Sequence, residues 1–131
     1  METLVPTGST VAVVEDNRRI AELYVDVLEA LGHAARSFFD GESFLEAFPG
    51  LGADLLILDR GLPGCDGLDV AQQVRARRPD LPILMISGNP PARGSAADRL
   101  VDRVLAKPCT IDQFTDAVTG LLVTPRAAPG A

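Results

Sequence analysis

Four short stretches of this chain are continuously apolar: Val11 to Val14, Leu55 to Leu58, Ile83 to Ile86 and Val104 to Ala106. A strand with one wet face alternates polar and apolar residues. A run with no polar interruption is buried on both faces, which points to a parallel sheet covered by helices on either side. Everything else in the sequence has to fit between or beside these runs.

The intervals carry the helices that such a sheet requires. Ile20, Leu23, Tyr24, Val27, Leu28 and Leu31 fall at helical spacing, and Gly32 supplies a stop. A brief helix is expected from about Glu42 to Phe48, ending at Pro49 and Gly50. Leu68, Ala71 and Val74 mark a third helix that closes before Pro79. Thr110 and Gln113 have capping-box spacing and open a last helix to about Leu121. Ala34 to Phe38, interrupted by Arg36 and Ser37, reads as an edge strand. Between Ser87 and Lys107, Pro90, Pro91 and Gly94 oppose a helix start, so a fourth helix is short or irregular, from about Ser95 to Val101. The expected fold class is α/β, a doubly wound five-stranded parallel sheet with strand and helix alternating five times.

A length of 131 residues with 47% apolar content suits one domain that needs no metal or disulfide staple. Net charge is −6, which repels phosphate backbones and argues against direct nucleic-acid binding. Cys65 and Cys109 lack CxxC spacing or a histidine cluster and read as reduced thiols. No apolar run is long enough to span a bilayer, and Met1 to Ser9 lacks the features of a signal peptide, so a cytoplasmic location is expected. Residues 1–8 read as a flexible N-terminus, 9–122 as the folded domain and 123–131, rich in Ala, Pro and Gly, as a linker or disordered tail.

The chemistry lies where the apolar runs stop. Val14 is followed by Glu15 and Asp16, Leu58 by Asp59, Ile86 by Ser87 and Ala106 by Lys107. Parallel strands bring these five side chains to one edge of the sheet, where ligands of doubly wound folds collect. Three carboxylates brought together repel one another unless a cation joins them, and an oxygen-only set without His or Cys favours Mg²⁺ over zinc. A carboxylate is a competent covalent acceptor of phosphoryl groups, a transfer governed by alignment and charge neutralisation. Mg²⁺ and Lys107 would neutralise, and Ser87 would donate to a phosphoryl oxygen.

VVEDN, LLILDRGLPGCDGLD, LMISG and AKP follow one another in this order. Through them the chain resembles the response-regulator receiver domain (CheY-like) of two-component signalling systems, over about residues 9 to 122. The resemblance implies a flavodoxin-like fold and bacterial-type phosphorelay signalling. It implies Asp59 as phosphoacceptor, Asp16 as direct metal ligand, Glu15 acting through water, and the Gly61 backbone carbonyl completing the protein's share of coordination to Mg²⁺. Ser87 matches the switch hydroxyl and Lys107 the phosphate contact, followed by Pro108 after a cis bond. The implied donor is a phosphohistidine on a sensor histidine kinase or histidine phosphotransfer protein, and the implied output is contact with a protein target that the sequence does not name, with a weak homodimer also allowed. Such a chain is a signalling domain that promotes its own phosphorylation and dephosphorylation rather than an enzyme.

The chain departs from the family where relatives carry an aromatic residue three positions before the lysine: Val104 stands there. Relay of the signal by ordering of the loop from Gly88 to Gly94, or through a non-standard face, is the expected substitute. Arg60, directly after Asp59, is unusual and is expected near the phosphodonor. Bland readings attach to His33, a surface or capping residue; to Cys65, structural or neutral; and to Arg75, Arg77 and Arg78, a solvated helix end. Two competing functions remain: a receiver-like adaptor that works without phosphorylation, and a haloacid-dehalogenase-like phosphohydrolase, which would need an acid where Gly61 stands.

Overall fold

A computed structural model describes residues 8–123 of the chain. The elements run β1 (Thr10–Val14), α1 (Arg18–Ala30), β2 (Ala34–Phe38), α2 (Gly41–Leu51), β3 (Leu55–Asp59), the two-residue strands β4 (Gly61–Leu62) and β5 (Cys65–Asp66), α3 (Gly67–Arg77), β6 (Ile83–Ser87), a 3₁₀ turn (Asp98–Leu100), β7 (Arg103–Ala106) and α4 (Ile111–Val123). The expected flexible segment 1–7 and tail 124–131 lie outside the described residues. Gly8 donates its N–H to the Gly32 carbonyl, and Val123 closes α4.

β1, β2, β3, β6 and β7 form one sheet in the order β2-β1-β3-β6-β7, with every pairing parallel. The reversal of direction between β1 and β3 makes the switch point of a doubly wound fold, at the carboxyl edge where ligands bind. The period of two along the buried strands divides their side chains between two cores. Ala12, Val14, Leu56, Leu58 and Met85 meet Phe44, Phe48, Val70 and Val74 of α2 and α3. Val11, Val13, Leu55, Ile57, Leu84 and Ile86 meet Tyr24, Leu28, Phe114 and Val118 of α1 and α4. Each fully buried aliphatic side chain contributes about 1.5–3 kcal/mol, so the central strands are fixed in register by the faces they bury. Tyr24 and Phe114 stack with centroids 4.6 Å apart and tie α1 to α4.

Local chemistry starts the helices. Asn17 caps α1 by accepting from the Ile20 N–H at 3.1 Å. Asp40 caps α2 and Asp66 caps α3 through the Ser43 and Leu68 N–H groups. Thr110 and Gln113 exchange reciprocal bonds of 2.9 and 3.0 Å, the capping box of α4.

Five expectations are corrected. Helix α2 does not stop at Pro49 but runs through it to Leu51. Burial of Phe44 and Phe48 on the sheet outweighs the lost proline bond, and Gly52, at φ +61°, supplies the left-handed stop. The run at Val104 to Ala106 is not buried on both faces: β7 is an edge strand, with Val104 and Leu105 half-buried and Ala106 exposed. The fourth helix shrinks to a single 3₁₀ turn. His33 is buried rather than on the surface, and its Nδ1 has no hydrogen-bond partner among the described residues.

The fifth correction concerns Arg75, which is not a solvated helix end. Its guanidinium turns inward and donates to the carbonyls of Pro79, Leu81 and Leu100 and to Asp102 Oδ2 at 2.9 Å. Asp102 in turn accepts from the Ile83 N–H at 2.7 Å. These bonds, with buried Val101, hold the β6–β7 connection against α3 in place of a helix. Arg77 is exposed as expected, and Arg78 pairs with Asp80 at 3.3 Å.

Candidate phosphoryl and metal site

The carboxyl ends of β1, β3, β6 and β7 deliver Glu15, Asp59, Ser87 and Lys107 to one place. Parallel pairing sets the ends level, with Val14 opposite Leu58, Asp59 opposite Ile86 and Ser87 opposite Ala106. Glu15, Asp59 and Ser87 are all buried, at 2%, 7% and 2% exposure, whereas Asp16 is exposed at the rim. Three polar side chains this deep in a sheet otherwise built of Val, Leu and Ile require partners.

Lys107 is the principal one. Its Nζ donates to Glu15 Oε1 at 2.8 Å and to Asp59 Oδ2 at 3.1 Å. Glu15 Oε2 accepts from the Asn17 N–H at 3.0 Å, and Asp59 Oδ1 accepts from the Gly61 N–H at 3.1 Å. Burial pushes the Glu15 carboxyl above its ordinary value, an effect that the Lys107 hydrogen bond offsets only in part. Burial works against the Lys107 charge, yet the hydrogen bonds to Glu15 and Asp59 outweigh it and raise the ammonium's pKa. The ammonium is therefore fixed in its charged form beside two carboxylates.

A carboxyl oxygen from each of Glu15, Asp16 and Asp59 lies within 4.8 Å of the others. The donor set is oxygen only, one group deeply buried with its charge penalised, and one open to solvent. That combination fits a hard divalent cation that keeps part of its water shell, as Mg²⁺ does. Ser87 faces the same cleft of about 560 Å³, together with Asp59, Arg60, Gly61, Asn89 and Lys107. Its Oγ accepts from the Asn89 N–H at 2.9 Å, and its carbonyl accepts from the Lys107 N–H at 2.9 Å. The Lys107–Pro108 peptide is cis.

Glu15, Asp16, Asp59, Gly61, Ser87 and Lys107, the site residues singled out from the sequence, thus converge. Two residues and a hairpin were not singled out. Gly67 opens α3 so close to β3 that a Cβ there would lie 2.3 Å from the Asp59 carbonyl oxygen. The Asp-Gly pair in the stretch after Asp59 was its only sequence signal. The β4–β5 hairpin that lies over the cleft is too short to leave a periodic trace. Asn89 meets the cleft through its main chain, which carries no residue-type signature. Arg60 turns toward this loop: it donates to the Asn89 carbonyl at 2.9 Å and lies 3.6 Å from Asp66.

The sequence matches the response regulator receiver domain family over residues 11–119. Among similar curated proteins, the transcriptional regulatory protein TcrA of Mycobacterium tuberculosis is 33% identical over 114 residues, which cover 82% of this chain and 44% of TcrA. The sensory transduction protein RegX3 of Mycolicibacterium smegmatis is 38% identical over 93 residues, 71% of this chain and 39% of RegX3. The chain therefore spans less than half the length of these relatives. Among solved structures, the response regulator TrrA of Thermotoga maritima in complex with Mg²⁺-BeF superposes with a TM-score of 0.80 at 29% identity, covering 87% of this chain and 99% of that one. A CheY-like receiver domain protein of Methanospirillum hungatei gives a TM-score of 0.83 at 18% identity, covering 88% and 94%, a likeness of fold.

Proposed function

The chain belongs to the response regulator receiver domain family, and from that premise we propose that it is a phosphoacceptor switch in which Asp59 takes a phosphoryl group from a phosphohistidine donor. The observation that carries this reading is the placing of Lys107 Nζ between Glu15 and Asp59 with Asp16 within reach of both. In the proposed assignment Asp59 Oδ attacks the phosphorus, the phosphorus–nitrogen bond of the donor breaks, and the donor imidazole leaves with the electron pair. Lys107 holds a phosphoryl oxygen, and the Ser87 hydroxyl donates to another. Glu15, Asp16, Asp59 and the Gly61 carbonyl would hold Mg²⁺, which when bound offsets the carboxylate charge and that of the incoming phosphoryl group. The Mg²⁺-BeF complex of TrrA supports this assignment by analogy.

The domain proposed is 9–122, and its donor a sensor histidine kinase or histidine phosphotransfer protein. The absence of an acid at Gly61 disfavours the phosphohydrolase alternative. The net charge of −6 disfavours nucleic acid at this domain itself and says nothing of a longer protein: TcrA is named a transcriptional regulatory protein and more than half of it lies outside the match. No helix among the described residues is long and apolar enough to cross a membrane.

Intact mass after incubation with acetyl phosphate tests the reading. One added phosphoryl group, lost in Asp59→Asn and in chelator, is expected. No addition by a folded protein that binds Mg²⁺ would favour a phosphorylation-independent adaptor or a site restricted to its own donor.

A further inference from the structure

The residue after the acceptor is tied to the loop that carries the Ser87 hydroxyl. Arg60 Nη1 donates to the Asn89 carbonyl at 2.9 Å, and the N–H of the same Asn89 donates to Ser87 Oγ at 2.9 Å. One residue thus links the guanidinium at one end to the hydroxyl at the other. The base of the arginine is itself fixed, because the Arg60 carbonyl accepts from the N–H groups of Leu62 and Gly67 at 3.1 and 2.7 Å. The guanidinium thus reaches the loop from a main chain that is fixed at its base. Beyond Asn89 the chain enters Pro90 and Pro91, which have no N–H to donate, and the next backbone bond described within the loop is from the Ser95 N–H to the Ala92 carbonyl.

Arg60, Ser87, Asn89 and Asp59 line one cleft. The Asp66 carboxylate beside Arg60 is 3.6 Å away and already accepts from the Leu68 N–H as the cap of α3, so it holds the guanidinium loosely. A neutral carbonyl and a half-exposed carboxylate are weak competitors for a guanidinium when a dianionic group appears on the neighbouring residue, since Arg–phosphate contacts are charge-assisted and frequently bidentate.

We propose that Arg60 is a positioning residue: it orients the Ser87 hydroxyl through Asn89 in the resting state, and a phosphoryl group on Asp59 draws its guanidinium off the Asn89 carbonyl and releases the 88–94 loop. The second half rests on the acceptor reading given above; the first does not. This supplies a link between Asp59 and the loop in a chain that has Val104 where relatives carry an aromatic residue, and it has the loop released on phosphorylation where the sequence reading expects it to become ordered. It also redirects the sequence expectation for Arg60, which turns to its own loop rather than outward.

Hydrogen–deuterium exchange of peptides covering 88–94 tests both halves, with Arg60→Met and Arg60→Gln, which keep an unbranched stem and remove the guanidinium and its charge. At rest, both variants are expected to exchange in this segment about five-fold faster than the native chain, the factor one ordinary hydrogen bond supplies. Addition of Mg²⁺ and beryllofluoride is expected to speed exchange in the native chain and to leave the variants unchanged. Variants as protected at rest as the native chain would overturn the latch, and a native loop that becomes more protected with beryllofluoride would overturn its release. Intact mass after acetyl phosphate reads the acceptor function separately: if Asp59 takes no phosphoryl group, that reading and the release both fail, and the resting comparison still decides the latch. A merely structural arginine would lower melting temperature and speed exchange elsewhere in the domain as well, so unchanged exchange in β3 and β6 peptides is part of the expected result.

Discussion

Lys107 Nζ bridges Glu15 Oε1 and Asp59 Oδ2 at 2.8 and 3.1 Å, joining residues 92 and 48 positions apart along the chain. One ammonium from beyond an edge strand thereby serves two carboxylates from the two strands at the centre of the sheet.

Removing that ammonium exposes the cost of the carboxylates. Lys107→Met leaves the buried Glu15 without its cation, and because Lys107 is itself about a quarter exposed the expected loss is roughly 1–3 kcal/mol in metal-free buffer. Mg²⁺ binding the same carboxylates restores part of it. Urea denaturation with and without Mg²⁺ measures both, and a variant as stable as the native chain in chelator refutes the bridge as a structural contact.

Gly67 and Gly61 make a matched pair flanking the hairpin. A Cβ at Gly67 meets the Asp59 carbonyl oxygen at 2.3 Å and Arg60 Cα at 2.7 Å, both main-chain atoms, whereas a Cβ at Gly61 meets nothing within 4 Å. Gly67→Ala is expected to cost about 2–3 kcal/mol and to slow phosphoryl uptake by displacing Asp59, while Gly61→Ala stays within about 0.5 kcal/mol of the native chain. Thermal melting paired with the acetyl phosphate assay separates them; equal behaviour of the two variants contradicts the packing account.

Arg75 substitutes for a missing helix. Its bonds to Leu100 and Asp102 tie α3 to the β6–β7 connection, and those to Pro79 and Leu81 tie it to the segment that leads into β6. Arg75→Met leaves several carbonyls without this donor and removes the cation beside the partly buried Asp102, with an expected cost of roughly 2–4 kcal/mol. Exchange in the 98–102 segment should rise more than elsewhere. A loss spread evenly over the domain would show that the arginine does not act on this connection.

Burial lowers the His33 pKa below its ordinary value of 6.5, with Asp54 opposing in part. The unfolded chain therefore takes up a proton near pH 6.5 that the folded chain does not, and stability that is complete above that pH is lost as pH falls through the lowered folded value. His33→Leu is expected to flatten the stability profile in the window that opens as pH falls below about 6.5. Parallel native and variant profiles across that window would exclude His33 as the source.

The fold was legible where local chemistry and burial agree. The unbroken apolar runs at Val11, Leu55 and Ile83 identified the central strands because only double-sided burial tolerates them, and Thr110 and Gln113 marked a helix start because capping is a matter of a few neighbouring atoms. The polar residues that end those runs gave the site for the same reason: nothing but shared chemistry explains Glu15, Asp59 and Ser87 at the ends of buried strands. Pro49 misled because local propensity argued for a stop that the burial of Phe48 overrode. His33 and Arg75 misled because residue type alone says nothing about a pocket of carbonyls or a lid of neighbours assembled from elsewhere.

By itself the sequence determined the alternating class, the strand ends and the chemical nature of the cleft, since periodicity, capping and residue type act over a few positions. Tertiary structure alone decided that β7 lies at an edge, that Arg75 replaces a helix, that Gly67 has no room for a methyl group and that Arg60 holds Asn89. Each of these depends on main-chain atoms brought together from distant parts of the chain, and main-chain atoms are the same whatever residue carries them.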